Sequence, residues 1–169
     1  MEQGDRLAET KWNATDVQRL YRHHGAVLIA YARSFLPDAA AAEDVVHAVF
    51  LRLLRGDVTA PESELGYLYR AVKNAALNAK RDVSRETKLD SGERWFVHRN
   101  GNTEAELALQ EALAELPDEQ REVVMMRIWS GMTLEEIGAA TGVTLNTAAS
   151  RYRYALEKLR SRLREKPHD

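Results

Sequence analysis

Apolar residues recur three and four positions apart along nearly the whole chain, and no stretch alternates as a half-buried strand would, so the pattern predicts an all-α protein. Val17, Leu20, Tyr21, Leu28, Tyr31 and Phe35 form the stripe of a first helix, opened near Thr15 and Asp16 and stopped by Pro37 and Asp38. A second helix covers residues 39–55, with Val45, Val46, Val49, Phe50 and Leu53 inward and Gly56 placed at its C-terminal cap. A third covers 64–81 and turns Leu65, Leu68, Tyr69, Val72 and Ala76 inward. These three helices can close one small core.

The pattern lapses over residues 82–103, where Ser91, Gly92, Asn100, Gly101 and Asn102 act as breakers. This stretch reads as a flexible linker between an N-terminal domain, 1–81, and a C-terminal one, 104–169. Trp95, Phe96 and Val97 interrupt it; packing on a neighbouring domain is the plainer reading and a partner contact the alternative. Helical periodicity then resumes. A helix over 103–114 presents Leu109, Ala112, Leu113 and, at its end, Leu116. One over 118–129 turns Val123, Val124 and Ile128 inward, and a short one spans 134–141, with Thr133 and Glu136 at capping-box spacing. Thr144 caps a last helix that runs to Arg164.

The final two helices fit a helix-turn-helix. Ile137 and Val143 supply apolar contacts between them, Gly138 is small where the helices approach, and Gly142 suits a turn residue with positive φ. Such a turn makes the second helix protrude, so that its N-terminal half can enter a DNA major groove. Ala148, Tyr152, Ala155, Leu156, Leu159 and Leu163 make its inner stripe. Asn146, Thr147, Ala149, Ser150, Arg153 and Tyr154 are left for the outer side. Asn and Arg can bond base edges bidentately, while Arg151, Arg160 and the later basic residues are better placed for phosphates. The bland alternative is a helical hairpin with a basic, solvated face.

Charge sharpens that picture. The net charge of −2 over 169 residues argues at first against a nucleic-acid partner. The charges are segregated, however. Glu104, Glu106, Glu111, Glu115, Asp118, Glu119 and Glu122 share their stretch with the single base Arg121, whereas bases prevail from Leu145 onward. There is no cysteine, and hence no disulfide or thiolate metal site. No apolar run is long enough to span a membrane and no signal peptide is evident, which points to a cytoplasmic protein. No nucleophile–base pattern, phosphate-binding loop or zinc motif stands out, so neither an enzyme nor a cofactor is expected. His23 and His24 point about 100° apart on a helix and would make poor joint metal ligands.

Two further faces carry chemistry. Tyr67, Arg70, Lys73, Asn74 and Asn78 lie on the outer side of the third helix, followed by Lys80 and Arg81. Cations interleaved with a ring suit a single strand, and amides four apart can bond an unstacked base; a solvated helix face is the alternative. The second helix shows Glu43, Asp44, His47, Leu51 and Arg52 outward, a mixture of charge and exposed leucine that hints at a protein partner.

Taken together, LYRHHGAVLIAYARSFL, AEDVVHAVFLRLLR, LGYLYRAVKNAALNAKR and ALAELPDEQREVVMMRIWSGMTLEEIGAATGVTLNTAASRYRYALEKLR resemble an extracytoplasmic-function (ECF) sigma factor of bacterial RNA polymerase, in that order and spacing. The resemblance covers roughly residues 17–164. It implies that the second helix binds the polymerase clamp coiled coil, and that the first domain opens the −10 element, capturing a flipped base near Asn74. It implies that the last helix reads the −35 element as duplex, with the linker threading toward the RNA exit path. An anti-sigma factor is a partner the resemblance suggests. The chain departs from the family at His47 and Ala48, where Gln and an acidic residue are usual, so polymerase affinity is expected to be weak or conditional on an activator such as a kinase. Ala149 stands where Lys or Arg is frequent, and Tyr67 replaces a common Trp. Two other readings compete: a helix-turn-helix regulator that does not recruit polymerase, and a module that sequesters a protein through its helical faces.

Overall fold

A computed structural model describes residues 12–58, 61, 63–86 and 103–165. Among these every regular element is helical: α1 Ala14–Ala32, α2 Ala39–Leu54, α3 Glu64–Glu86, α4 Glu104–Ala114, α5 Asp118–Val124 with a π turn Met125–Trp129, α6 Leu134–Thr141 and α7 Leu145–Arg164. Trp95, Phe96 and Val97 lie outside the described residues.

Local chemistry fixes the ends. α1 starts one residue before the expected Thr15, because Asn13 is the cap: its Oδ1 accepts from the Asp16 amide at 2.8 Å and its Nδ2 donates to the Asp16 carboxylate at 2.6 Å. Trp12 and Val17 hold the staple positions around that cap, and both are buried. Asp38 caps α2 through the amides of Ala40 and Ala41. At the other end Gly56, with φ +73°, lets its own amide reach Leu53 O and that of Asp57 reach Arg52 O. α3 continues past residue 81 to Glu86, so helix occupies the first part of the stretch read as linker. α4 opens with a capping box of Thr103 and Glu106.

α1, α2 and α3 pack on one another, while α4, α5 and α6 pack around α7. Leu28, Val46, Leu53, Leu68, Tyr69 and Val72 are buried in the first group. Each large side chain removed from water contributes about 1.5–3 kcal/mol. Ala112, Leu113, Leu116, Val124, Ala155 and Leu159 make a smaller cluster in the second. The larger buried cluster crosses between the groups: Val123, Met126, Met132 and Ile137 share it with the residues of α1–α3, and α6 packs on α3.

Three residues expected inward are not. Ile128 is 51% exposed, because the π turn widens the backbone after Val124 and hands the inward positions to Met125 and Met126. Leu163 is exposed because α7 outruns the helices it packs on; every residue from Arg160 to Glu165 faces solvent. Tyr21 stands at the rim of the first stripe, 38% exposed, edge-on to Phe50 at 5.1 Å.

Candidate nucleic-acid interface

The helix-turn-helix is built tightly. Thr133 and Glu136 form the capping box of α6, with the Thr133 amide donating to the Glu136 carboxylate at 2.7 Å. The helix ends at Gly142, whose φ of +73° is the left-handed conformation the turn needs. The Val143 amide then returns to Gly138 O at 2.9 Å. A Cβ on Gly138 would stand 2.8 Å from Val143 O, so the small residue expected there is required by the close approach of backbone. Thr144 Oγ1 accepts from the Thr147 amide and its hydroxyl donates to Thr147 Oγ1 at 3.0 Å, which starts α7.

This geometry leaves the first turns of α7 open. Asn146, Thr147, Arg153, Tyr154 and Arg160 are exposed, whereas Ala149 and Ser150 are half-buried. The Arg153 guanidinium lies 5.1 Å from the Tyr154 ring centre, a cation–π contact that holds both side chains on the outer surface. The helix N-terminus adds partial positive charge at the same end. Arg151 differs from the rest of the expected set. Its side chain is 22% exposed and bridges to Glu119 of α5 at 3.1 Å, so it braces α7, and a phosphate would have to displace that carboxylate. Arg162 is likewise taken by Glu115, whose hydrogen bonds hold the guanidinium above its ordinary range.

On α3, Arg70, Asn74 and Asn78 line an exposed stripe, with Tyr67 half-buried beside it. Lys73 is drawn out of this row: its Nζ donates to both carboxylate oxygens of Glu122 at 3.1 Å. Sequence pattern gave no hint of that partner, because Glu122 lies in an acidic block and reads as solvated, yet it is 6% exposed. On α2, Glu43, Asp44, His47, Leu51 and Arg52 are all exposed, as expected. The structure adds Leu54, 50% exposed, and Tyr21, whose hydroxyl pairs with His47 Nε2 at 2.7 Å. Together Tyr21, His47, Phe50, Leu51 and Leu54 line an apolar groove between α1 and α2. Leu54 falls three residues after Leu51, a spacing that could have flagged it. Among the described residues no group of His, Asp and Glu is placed to hold a metal, and no helix is long and apolar enough to cross a membrane.

A protruding helix-turn-helix in one group of helices, joined to a second helical group, defines a two-module protein that binds DNA through the helix-turn-helix. Residues 20–86 match sigma-70 region 2 and residues 112–161 match sigma-70 region 4. The chain belongs to the sigma-70 family as an ECF RNA polymerase sigma factor: it directs RNA polymerase to promoters and is not an enzyme. The region 2 match speaks against a helix-turn-helix regulator alone. Among similar proteins, the ECF RNA polymerase sigma factor SigL of Mycobacterium tuberculosis is 28% identical over 160 residues, 88% of this chain and 89% of its own length. The RNA polymerase sigma-E factor of Streptomyces coelicolor is 27% identical over 142 residues, 80% of this chain and 79% of its own. The fold is shared with the sigma factor RpoE solved with the anti-sigma factor NepR from Bartonella quintana, at a TM-score of 0.66 and 24% identity over 89% of this chain and 97% of that one. CnrH, solved with the cytosolic domain of CnrY, superposes at 0.60 with 21% identity, covering 92% of both chains.

Proposed function

We propose that the work is divided by module: α2 holds core RNA polymerase, α3 takes the separated strand of the −10 element, and α7 reads the −35 element as duplex. The observation that carries this division is the exposure pattern. Asn146, Arg153 and Tyr154 on α7, Arg70, Asn74 and Asn78 on α3, and Glu43, Asp44, His47 and Leu51 on α2 face solvent on three different helices. Amides and guanidinium on a protruding helix suit base edges in a major groove, and cations beside Tyr67 suit a strand whose bases stack on a ring. Capture of an unstacked base near Asn74 offsets the few kcal/mol that unstacking costs. The boundaries 1–81, 82–103 and 104–169 describe these roles, with the helical run to Glu86 assigned to the first module. An anti-sigma factor is proposed as a partner, supported by the two solved sigma factors of the same fold that were captured in complexes. The protein is proposed to act in the cytoplasm, where polymerase and promoter meet.

Run-off transcription with purified core polymerase and the full chain, on a panel of genomic promoters, tests the reading. Promoter-specific transcripts that depend on the chain are expected. Duplex binding without a transcript from any template would overturn it.

A further inference from the structure

The two modules are joined by a polar contact as well as by shared apolar core. Glu122 sits on α5, buried beside Val123 and Val124. Every hydrogen bond described for its carboxylate goes to the other module: it accepts from Tyr31 Oη of α1 and from Lys73 Nζ of α3. The Tyr31 hydroxyl is held far above its ordinary range, first by burial and then by the Glu122 charge, and so stays a donor. Its ring stands edge-on to Tyr69 at 4.7 Å, and Tyr69 Oη pairs with Ser130 Oγ at 2.7 Å, a second bond between modules. α6 covers the start of α3 at the same time, with Ala140 Cβ 3.7 Å from where a Cβ on Gly66 would lie.

This arrangement does not serve the fold of α4–α7. A carboxylate turned wholly toward the other module would be freely hydrated if the modules parted, and is compensated only while they are docked. We propose that Glu122 is the pin of an intramolecular latch: docked, it occupies Lys73 and holds α6 over the start of α3, so a single DNA strand can touch the exposed Arg70, Asn74 and Asn78 but must displace the carboxylate to add Lys73 to that contact. The latch rests on the reading of α3 as the strand-binding face. It makes the free chain a self-restrained form in which a nucleic-acid phosphate and the Glu122 carboxylate compete for one ammonium group.

The chain has no cysteine, so the pair Gly66→Cys/Ala140→Cys would contain its one possible disulfide. The 3.7 Å between the Cβ positions lies in the range of about 3.5–4.5 Å that such a bond needs. Because the new Cβ at 66 also meets Ser63 Oγ at 2.9 Å, the single Gly66→Cys variant is the reference. Binding of a short fluorescein-labelled oligothymidylate to the full chain is measured by anisotropy. The oxidised pair is expected to bind about tenfold more weakly than the reference, and dithiothreitol to restore it. Glu122→Gln is expected to bind about tenfold more tightly than wild type, since a charge-assisted pair is lost from the docked form only. Tyr31→Phe, which removes one hydroxyl and keeps the ring, should shift binding the same way. Glu104→Gln removes an exposed acid from the same module and should change binding less. Equal binding by the oxidised and reduced pair, or by Glu122→Gln and wild type, would overturn the latch. The sigma-factor reading fails separately, through absence of a run-off transcript from the wild-type chain.

Discussion

Gly138→Ala isolates the close approach on which the DNA-reading helix depends. Adding one methyl inside a helix would by itself stabilise the chain, since Ala is favoured over Gly by about 1 kcal/mol in a helix interior. Here the new Cβ would stand 2.8 Å from the carbonyl oxygen of Val143 and 3.5 Å from the Leu145 amide nitrogen. Both are backbone atoms of the turn, so no side-chain rotation relieves the clash. The turn must move, and the bond from the Val143 amide to Gly138 O stretches with it. Overpacking of this kind costs about 1–3 kcal/mol; against backbone that cannot rotate away the upper part of that range applies, about 2–3 kcal/mol, which leaves a net loss of about 1–2 kcal/mol after the propensity gain. Urea unfolding followed by circular dichroism should show the midpoint lowered by about 0.5–1 M with an unchanged slope. Binding to a −35 duplex should weaken as α7 is displaced. Gly142→Ala is the companion: nothing lies within 4 Å of its Cβ, and its cost is the left-handed φ of +73°, about 1 kcal/mol. A Gly138→Ala protein as stable as wild type, or more so, would refute the steric argument.

Arg153→Ala is expected to weaken cognate −35 duplex binding by about 1–3 kcal/mol and to relax sequence preference in anisotropy titrations; an equal loss on scrambled duplexes would assign Arg153 to phosphate. Ala48→Glu, on the exposed face of α2, is expected to tighten association with core polymerase in a pull-down titration, because the family's usual acid is missing there; tight binding by the wild type, unchanged by the substitution, would refute the idea. His24 lies below its ordinary value of 6.5, first because it is desolvated and then because His23 and Arg19 oppose its charge. The unfolded chain therefore takes up that proton first. Its stabilising contribution is present above pH 6.5 and is lost as pH falls through the lower folded value, so the thermal midpoint should drop in that window and His24→Gln should flatten the drop. An identical pH profile for the variant would exclude the assignment.

Much of this architecture was legible because it rests on local rules. The apolar stripe of α2 and Gly56 at its end, the capping box at Thr133 and the glycines at 138 and 142 each follow from chemistry within a few residues. What was not legible depends on distant partners or on departures from ideal geometry. Ile128 was expected inward because a regular helix was assumed, and no residue in Met125–Trp129 announces a π turn. Sequence alone does not single out the α1 cap, because Asn13, Thr15 and Asp16 can all accept an amide hydrogen, and it is Asn13 that does. The capping box at Thr103 and Glu106 has the same spacing as the one at Thr133 and Glu136 and is readable from it. Periodicity describes one helix at a time and so groups Lys73 with its α3 neighbours, while its partner lies on another module.

The charge pattern also changes meaning once its partners are known. Read along the sequence, the acidic block and the basic tail look like two solvated faces of opposite sign. In the fold, four of these acids pair with specific cations: Asp118 with Arg121, Glu119 with Arg151, Glu115 with Arg162, and Glu122 with Lys73 across the modules. Such pairs add little stability where exposed, but they decide which cations a phosphate can reach without competition. Lys158, Arg160 and Arg164 have no ion pair among the described residues, and Arg153 is steadied by a neutral ring. Arg151 and Lys73 can be reached only by displacing a carboxylate. The net charge of −2 is therefore a poor guide to DNA affinity. Glu115 and the acids of α5 position α7 and restrain part of the cationic surface, and the cations they leave over form the outward face through which long-range attraction to a duplex acts.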